Sequence, residues 1–287
     1  MTSQPGSIDG LRMAIVHPFL ISQGGGEKVI DALARAFPRA EIFTMLLDRS
    51  TLSPALKDRV IHSTFLDRFP ARQRFYQHLS PLYDLATRSH DLRGFDIVIS
   101  SGGPGAKTAR VDPGALHVHY CHSPVRFLWD QYETWLGRLP MPLRPLFALT
   151  AAAQRRRDLA GVQGVDAFIA NSDYIGERIR RYYGRQSTTI YPPVDISTAP
   201  PADHRGDYYL TVGRLVPGKR TELLVEACNA AGRRLVVAGG GPELHRLREM
   251  AGPTVEIRGR VDDETLEDLF RNARAFLFAA EIGRAHG

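Results

Sequence analysis

Three consecutive glycines, Gly24, Gly25 and Gly26, stand between an apolar run, Ala14–Val16, and a segment whose Val29, Ile30 and Leu33 recur at helical spacing. Glycines at a strand-to-helix turn let the backbone approach a ligand closely. They also leave the first helical N–H groups bare for an anion. A tight turn without a ligand uses the same residues. The glycine spacing is not GxGxxG, and Lys28 is not followed by Ser or Thr, so neither standard phosphate loop is present. Farther on, "VGRLVPGKRTELLVEA" ends a strand at Arg214 and opens a helix at Lys219. Two cations brought to one strand end can hold a diphosphate and stabilise a departing phosphate; a solvated basic loop is the plain alternative. "VVAGGGPEL" places Gly240 and Gly241 in a second glycine turn after a strand. "HVHYCHSPVRFLWDQY" puts His117 and His119 on one face of a strand by alternation, with His122 in the turn that follows. No further ligand follows at zinc spacing. Arg126, Trp129, Asp130 and Tyr132 crowd the same stretch, and polar and aromatic groups together at a strand end suit a sugar.

The elements that must position these residues alternate in type along the chain. Strands are expected at Glu41–Leu46, Val60–Ser63, "FDIVISSGG", "ALHVHYCHSP", "VDAFIANS" and "TTIYPPVD", with helices at about 71–87 and 143–159. Ser172 is placed to cap the helix after "VDAFIANS", with Asp173 and Glu177 near its positive end. "PPVDISTAPPADHRGD" reads as a linker, and the alternation then restarts with "YYLTVGRL", "RRLVVAGGGPE", "TVEIRG" and "ARAFLFAA" as strands. Alternating strands and helices imply right-handed crossovers and parallel sheets. The expected organisation is α/β: a disordered N-terminus over 1–11, a Rossmann-like domain over 12–195, a linker over 196–207 and a second, partial Rossmann-like domain over 208–287. Ligands of such sheets bind beyond the carboxyl ends of the strands, where the glycine turns fall.

Composition narrows the class. The 287 residues are 43% hydrophobic, enough for one large or two ordinary domains. The net charge is +6, and only Lys28, Lys57, Lys107 and Lys219 are lysines, so arginine carries nearly all the positive charge. Arginine binds phosphate through a planar fork; a compositional bias toward arginine explains the count equally well. No aromatic-basic RNA signature or zinc-finger spacing is present, so no nucleic-acid partner is expected. The two cysteines, Cys121 and Cys228, have no metal-ligand spacing and fit a reducing compartment. No apolar run reaches the roughly 18 residues of a membrane span, and Met1–Gly10 lacks an apolar signal core. A soluble, cytoplasmic protein is the expectation.

In their order and spacing, "GGGEKV", "YCHSPVRFLWDQY", "ANSDYIGERI", "IYPPVD", "VGRLVPGKRTELLVEA", "VAGGGPEL" and "GRVDDETLEDLFRNARAFLF" resemble the family 4 glycosyltransferases of the GT-B fold, over about residues 13–280. The stretch "YCHSPVRFLWD" is most similar to the bacterial branch that builds cell-surface polysaccharides, often from GDP-mannose. The resemblance implies a retaining hexosyltransferase that moves a sugar, mannose favoured, from a nucleotide-sugar to a glycan or lipid-linked acceptor. By the same resemblance Gly24, Gly25 and Gly26 lie near the donor diphosphate and reacting sugar, and Arg214 and Lys219 hold the diphosphate. His122 sits beside the sugar with His119 as second choice, Gly240 and Gly241 shape the nucleotide pocket, and Arg260 lies next to the base. No metal or other cofactor is expected, because the two cations take a metal's place. Retention would follow front-face attack guided by the leaving phosphate; no carboxylate nucleophile stands out for a covalent route.

The resemblance thins at the end. The family continues after "FLF" with a glutamate, a Phe-Gly pair and a second glutamate that grips the ribose, whereas this chain reads "AAEIGRAHG". Glu281 matches the first glutamate alone. "EIGRAH" is similar to a translated sequencing adapter, and the expectation is a native sequence clipped near Ala280. A non-catalytic nucleotide-sugar-binding fragment is the first alternative function. A nicotinamide-dependent oxidoreductase is the second, and the missing GxGxxG argues against it. Finally, "TWLGRLPMPLRPLFALTAAAQRRRDLA" mixes Leu136, Leu139, Leu143, Leu146 and Phe147 with Arg138, Arg144 and Arg155–Arg157. A basic amphipathic segment of this kind can rest on the inner membrane surface; a core helix with a basic outer end has the same pattern.

Overall fold

The computed structural model describes residues 10–22, 24–69, 72, 76–194 and 206–280. The chain divides into two compact units, Met1–Val194 and Asp195–Gly287. The expected linker falls mostly on residues 195–205, and Glu281 and the chain end on 281–287, all outside the described residues.

Unit 1 is built on seven strands: β1 (Met13–Leu20), β2 (Glu41–Leu47), β3 (Ile61–Ser63), β4 (Ile97–Gly102), β5 (Leu116–Cys121), β6 (Ala167–Ala170) and β7 (Thr188–Thr189). They lie in the order β3-β2-β1-β4-β5-β6-β7, every pair parallel. Seven of the eight residues of β1 are buried, as a parallel strand covered on both faces must be. The strand order reverses between β1 and β4. Chains leave these two strands toward opposite sides, which opens a crevice at their carboxyl ends.

Helix α1 (Gly25–Ala36) buries Val29, Ile30 and Ala34, the last two against Ile15, Ile42 and Ile99. It is followed by the single turn α2 (Pro54–Lys57) and by α3 (Tyr83–Arg88), which continues a 3-10 stretch, Tyr76–Leu82. Within the helix expected over 71–87, of which residues 71 and 73–75 lie outside the described residues, the part from Tyr76 on is a 3-10 stretch and then α-helix, with Pro81 lacking the N–H that a continuous α-helix would use. Next come α4 (Tyr132–Arg138), α5 (Arg144–Gln163) and α6 (Asp173–Tyr183). Ser172 caps α6 through the Ile175 N–H, and Gly184 ends it in the left-handed region at φ 65°.

The long α5 buries only Ala151, Asp158, Gly161 and Val162. Its opposite face is apolar too: Leu146 is 60% exposed and Leu149 71%. Neither the core helix nor the amphipathic helix expected from sequence describes it fully, since both of its faces carry apolar side chains.

Unit 2 has four parallel strands, β8 (Tyr208–Val212), β9 (Arg234–Ala238), β10 (Val255–Gly259) and β11 (Ala275–Phe276), in the order β10-β9-β8-β11. Helices α7 (Thr221–Ala230), α8 (Leu244–Met250) and α9 (Asp263–Asn272) connect them. Val225, Leu235, Val237 and Leu247 form the core on one face, and Leu210, Val236 and Leu269 on the other. Here the order reverses between β8 and β11. The strand expected over "ARAFLFAA" is only two residues long.

Candidate functional site

In unit 1 the carboxyl ends of β1, β4 and β5 bring a group of polar side chains to the first residues of α1. His17 near the end of β1 is 7% exposed and donates its Nδ1–H to the Ser101 carbonyl on β4 at 3.0 Å. That bond crosses the point where the strand order reverses. His122, just past β5, lies 2.9 Å through Nε2 from the Ser101 hydroxyl. The two imidazoles meet edge to face with centroids 6.2 Å apart. Both border Gly26: a Cβ built there would lie 3.5 Å from His17 Cε1 and 3.7 Å from His122 Cε1. Glycine thus keeps open a space one side chain deep in front of two rings. Gly102, at φ 130°, closes the back of the site, where a Cβ would strike the Pro18 ring at 2.8 Å.

Gly24 is the N-cap of α1 and Gly25 opens the helix; no side chain caps its free N–H groups in the usual way. The Glu27 carboxylate lies beside Gly24. A Cβ on Gly24 would lie 3.0 Å from Glu27 Oε2, and Ser22 donates to Glu27 Oε1 at 3.3 Å. Burial pushes this carboxyl up, while hydrogen bonds from its own backbone N–H, from Ser22 and from Gly24 pull it down. An acidic side chain thus stands beside the helix end that the sequence reading offers to an anion.

The remaining histidines have a different job. His117 and His119 share a face of β5, as alternation predicts, and both are 1% exposed. His117 donates Nδ1–H to the Gly164 carbonyl at 2.7 Å, so its Nε2 is an acceptor. The Ser100 hydroxyl must therefore donate to that nitrogen, at 2.8 Å. Its oxygen then accepts from His119 Nδ1–H, at 2.9 Å. This directed chain fills the polar valences that His119 turns to β4, and burial holds the ring neutral. His119, the second choice for the sugar, is a core residue.

A second correction concerns Arg126, Trp129, Asp130 and Tyr132, read from sequence as suited to a sugar. Trp129 donates to Asp158 at 3.0 Å and stacks on Tyr182. Asp130 takes the Arg178 guanidinium at 2.5 Å, and Arg126 Nε lies 3.6 Å from the same carboxylate. Tyr132 stacks on Phe147 beneath Arg155. These side chains fasten the loop after His122 to α5 and α6. Asn171 adds a hydrogen bond to the His122 carbonyl at 3.1 Å. Asp158 in turn pairs with Lys107, which is 2% exposed.

Unit 2 gathers the sequence-derived residues at the carboxyl ends of β8 and β9. Arg214 and Lys219 line one concavity with Gly213, Thr221 and Phe278. Lys219 lies in a 3-10 turn, Pro217–Lys219, two residues before α7 rather than in it. Its ammonium rests 4.8 Å above the Phe278 ring. Arg220, the N-cap of α7, takes the left-handed region at φ 50°. Such a backbone costs about 1 kcal/mol for a residue with a Cβ, and here it turns the Lys219 loop into the helix.

The glycine turn after β9 is packed backbone to backbone on the loop after β8. Leu215 N–H donates to the Gly240 carbonyl at 3.0 Å, and Glu243 N–H to Leu215 at 3.1 Å. A Cβ on Gly239 would fall 1.9 Å from the Gly213 oxygen, and one on Gly241 2.2 Å from the Leu215 oxygen. One on Gly240 would meet Arg260 Nε at 2.9 Å, so Arg260 lies across this turn. Among the described residues, no three His, Cys, Asp or Glu side chains are grouped as metal ligands.

Each of the two parallel α/β units carries polar side chains at a strand reversal, where sheets of this kind bind ligands, and comparison with known proteins narrows the class. The model of Glycosyltransferase Family 4 matches residues 23–198, and that of Glycosyl transferases group 1 matches 195–282. The chain belongs to glycosyltransferase family 4. Among solved structures it is similar to a lipopolysaccharide outer core galactosyltransferase, WaaB (19% identity, 94% of this chain and 74% of that one, TM-score 0.55). It is also similar to HepE of Anabaena in complex with UDP and glucose (13%, 94% and 74%, TM-score 0.60). A third is sucrose-phosphate synthase of Thermosynechococcus elongatus (16%, 95% and 77%, TM-score 0.60). At these identities the likeness establishes the GT-B fold. No curated protein matches significantly in sequence. The family sets aside the nicotinamide-dependent alternative.

The sequence missed His17 and Ser101. A histidine inside an apolar strand has no distinguishing local pattern. Only the strand order, which places β4 beside β1, reveals its partner.

Proposed function

We propose that this glycosyltransferase moves a hexose, with retention, from a nucleoside-diphosphate sugar to a glycan or lipid-linked acceptor in cell-surface polysaccharide synthesis. The observation that carries it is the pair Arg214 and Lys219, which border one concavity at the strand reversal of unit 2. As the sugar–phosphate bond breaks, negative charge grows on the diphosphate. Two fixed cations beside it lower that barrier and stand in for a divalent metal. Arg260, Gly240 and Gly241 border the nucleotide, and His122 with Gly24–Gly26 serves the sugar. Front-face attack guided by the leaving phosphate is the route to retention, since no carboxylate nucleophile stands out in the sequence. GDP-mannose is the favoured donor from the sequence resemblance, and UDP, bound to HepE, is the competing nucleotide.

The reading extends to a cytoplasmic protein resting at the membrane face. No helix among the described residues is long and apolar enough to cross a membrane. The segment from the 3-10 turn Met141–Leu143 into α5 supports a surface contact: Met141, Leu143, Leu146 and Leu149 are each at least 49% exposed, and Arg138 and Arg156 lie exposed on either side of it. Apolar side chains amid arginine suit an anionic leaflet.

The test is calorimetric titration of the protein with GDP-mannose, UDP-glucose and UDP-galactose, followed by assay of released nucleotide. Binding of one donor that Arg214→Ala and Lys219→Ala abolish, with release of its nucleotide, is the expected result. Binding without any release on sugar acceptors would favour a non-catalytic nucleotide-sugar-binding role. No binding of any donor would overturn the proposal.

A further inference from the structure

The groups around Gly26 are acceptors of hydrogen bonds, and this has a chemical consequence. His17 spends its only N–H on the Ser101 carbonyl at 3.0 Å. With one proton on the ring, Nε2 carries a lone pair. Burial holds the ring neutral, lowering its pKa to about 4. Nε2 lies 3.7 Å from the position a Gly26 Cβ would take, so the lone pair borders the space that glycine leaves open. The ring is 7% exposed, and no side chain or backbone donor bonds Nε2 among the described residues. Beside Gly24 stands the Glu27 carboxylate, a second acceptor, 3.0 Å from the position a Gly24 Cβ would take.

A phosphate oxygen offers no proton to either group and would be repelled by Glu27. A sugar hydroxyl offers one. We propose that His17 is a specificity-determining residue whose Nε2 accepts a hydrogen bond from a hydroxyl of the transferred sugar. This end of unit 1 thus presents a hydrogen-bond acceptor suited to a hydroxyl. The inference rests on the transferase function proposed above and deepens it. It assigns a role to a buried histidine that neither the resemblance nor the family match mentions. His122 flanks the same space but shares the Ser101 hydroxyl through its own Nε2, so the two imidazoles are not equivalent. His17 reads a hydroxyl, and it also holds Ser101 in place for His122.

A site built to pair a hydroxyl discriminates strongly against analogues that lack it, because the buried lone pair is then left without a partner. Nitrogen-15 NMR of imidazole-labelled full chain tests this without turnover. The His17 Nε2 signal, assigned by its loss in His17→Phe, should shift on saturation with GDP-mannose, UDP-glucose or UDP-galactose, and should not shift with GDP or UDP alone. In the nucleotide-release assay, His17→Phe should lower kcat/KM roughly 10- to 100-fold. His17→Gln, which keeps an acceptor oxygen, should recover part of that loss. Inhibition by free GDP or UDP should be unchanged in both variants.

Suppose a donor shifts the Gly213 amide of unit 2 while His17 Nε2 stays still. The inference then fails although the proposed function stands. An equal shift with the bare nucleotide would also overturn it, because the diphosphate would then be the group sensed. If no donor shifts any resonance, the proposed function falls and the inference falls with it.

Discussion

Arg178 on α6 donates to Asp130 at 2.5 Å and to Ser123 at 2.9 Å, so one guanidinium grips both ends of the loop that follows His122. Its side chain is 7% exposed and that of Asp130 17%. Removing the guanidinium leaves a largely buried Asp130 with only the longer 3.6 Å contact to Arg126.

Arg178→Met should therefore destabilise unit 1 by about 3 kcal/mol. Both tryptophans of the chain, Trp129 and Trp135, belong to unit 1. Urea unfolding followed by tryptophan fluorescence thus reports that unit alone, and an unchanged midpoint would contradict the clamp.

Acid should unfold unit 1 first. His17 and His90 are each lowered to about 4 by burial, and burial also lowers His117 and His119. The unfolded chain takes up these protons near 6.5, and the folded chain only at lower pH, near 4 for His17 and His90, so unfolding binds protons and stability falls as pH drops below 6.5. Each histidine contributes at most about 1.4 kcal/mol per pH unit. Tryptophan-detected melts at pH 7, 5.5 and 4.5 should show a steep fall below 6.5. A flat profile would refute the neutral, buried assignment.

Lys219→Ala should slow nucleotide release by about 100- to 1,000-fold on whichever donor is bound, the scale of losing one group that stabilises the transition state. Lys57→Ala, on the single turn α2, is the matched control. Turnover unchanged in both would remove Lys219 from the leaving-group site.

Gly239→Ala should prevent unit 2 from folding, since its Cβ would fall 1.9 Å from the Gly213 oxygen. Nothing lies within 4 Å of the Cβ position at Gly218, so Gly218→Ala should be tolerated. Limited proteolysis separates the cases: the first variant should lose unit 2 and keep a resistant unit 1.

Replacing Leu146 and Leu149 with Ser should weaken binding to phosphatidylglycerol vesicles on the order of tenfold. Co-sedimentation at low and high salt measures it. Equal pelleting of parent and variant would clear this face of a membrane role.

Much of this was legible in the sequence because it is local. The glycine turns lie at strand ends, Ser172 caps its helix, and His117 and His119 alternate onto one face, each feature set by neighbours a few residues away. What escaped depends on distant pairing. His17 becomes an acceptor because of Ser101, 84 residues later. Trp129 and Asp130 look like ligand groups until Asp158 and Arg178 claim them. The Glu27 carboxylate beside Gly24, one residue on from the glycines, escaped as well. That last contact is local, but it is a choice of rotamer, and no periodicity encodes one.

The interlocked backbones after β8 and β9 also bear on how such a protein changes its substrate. Neither Gly239 nor Gly241 tolerates even a methyl group, so drift toward a new nucleotide finds no foothold in these loops. Innovation is channelled to side chains that lean over them, Arg260 and Phe278, where a substitution alters the ligand's surroundings without unseating the scaffold.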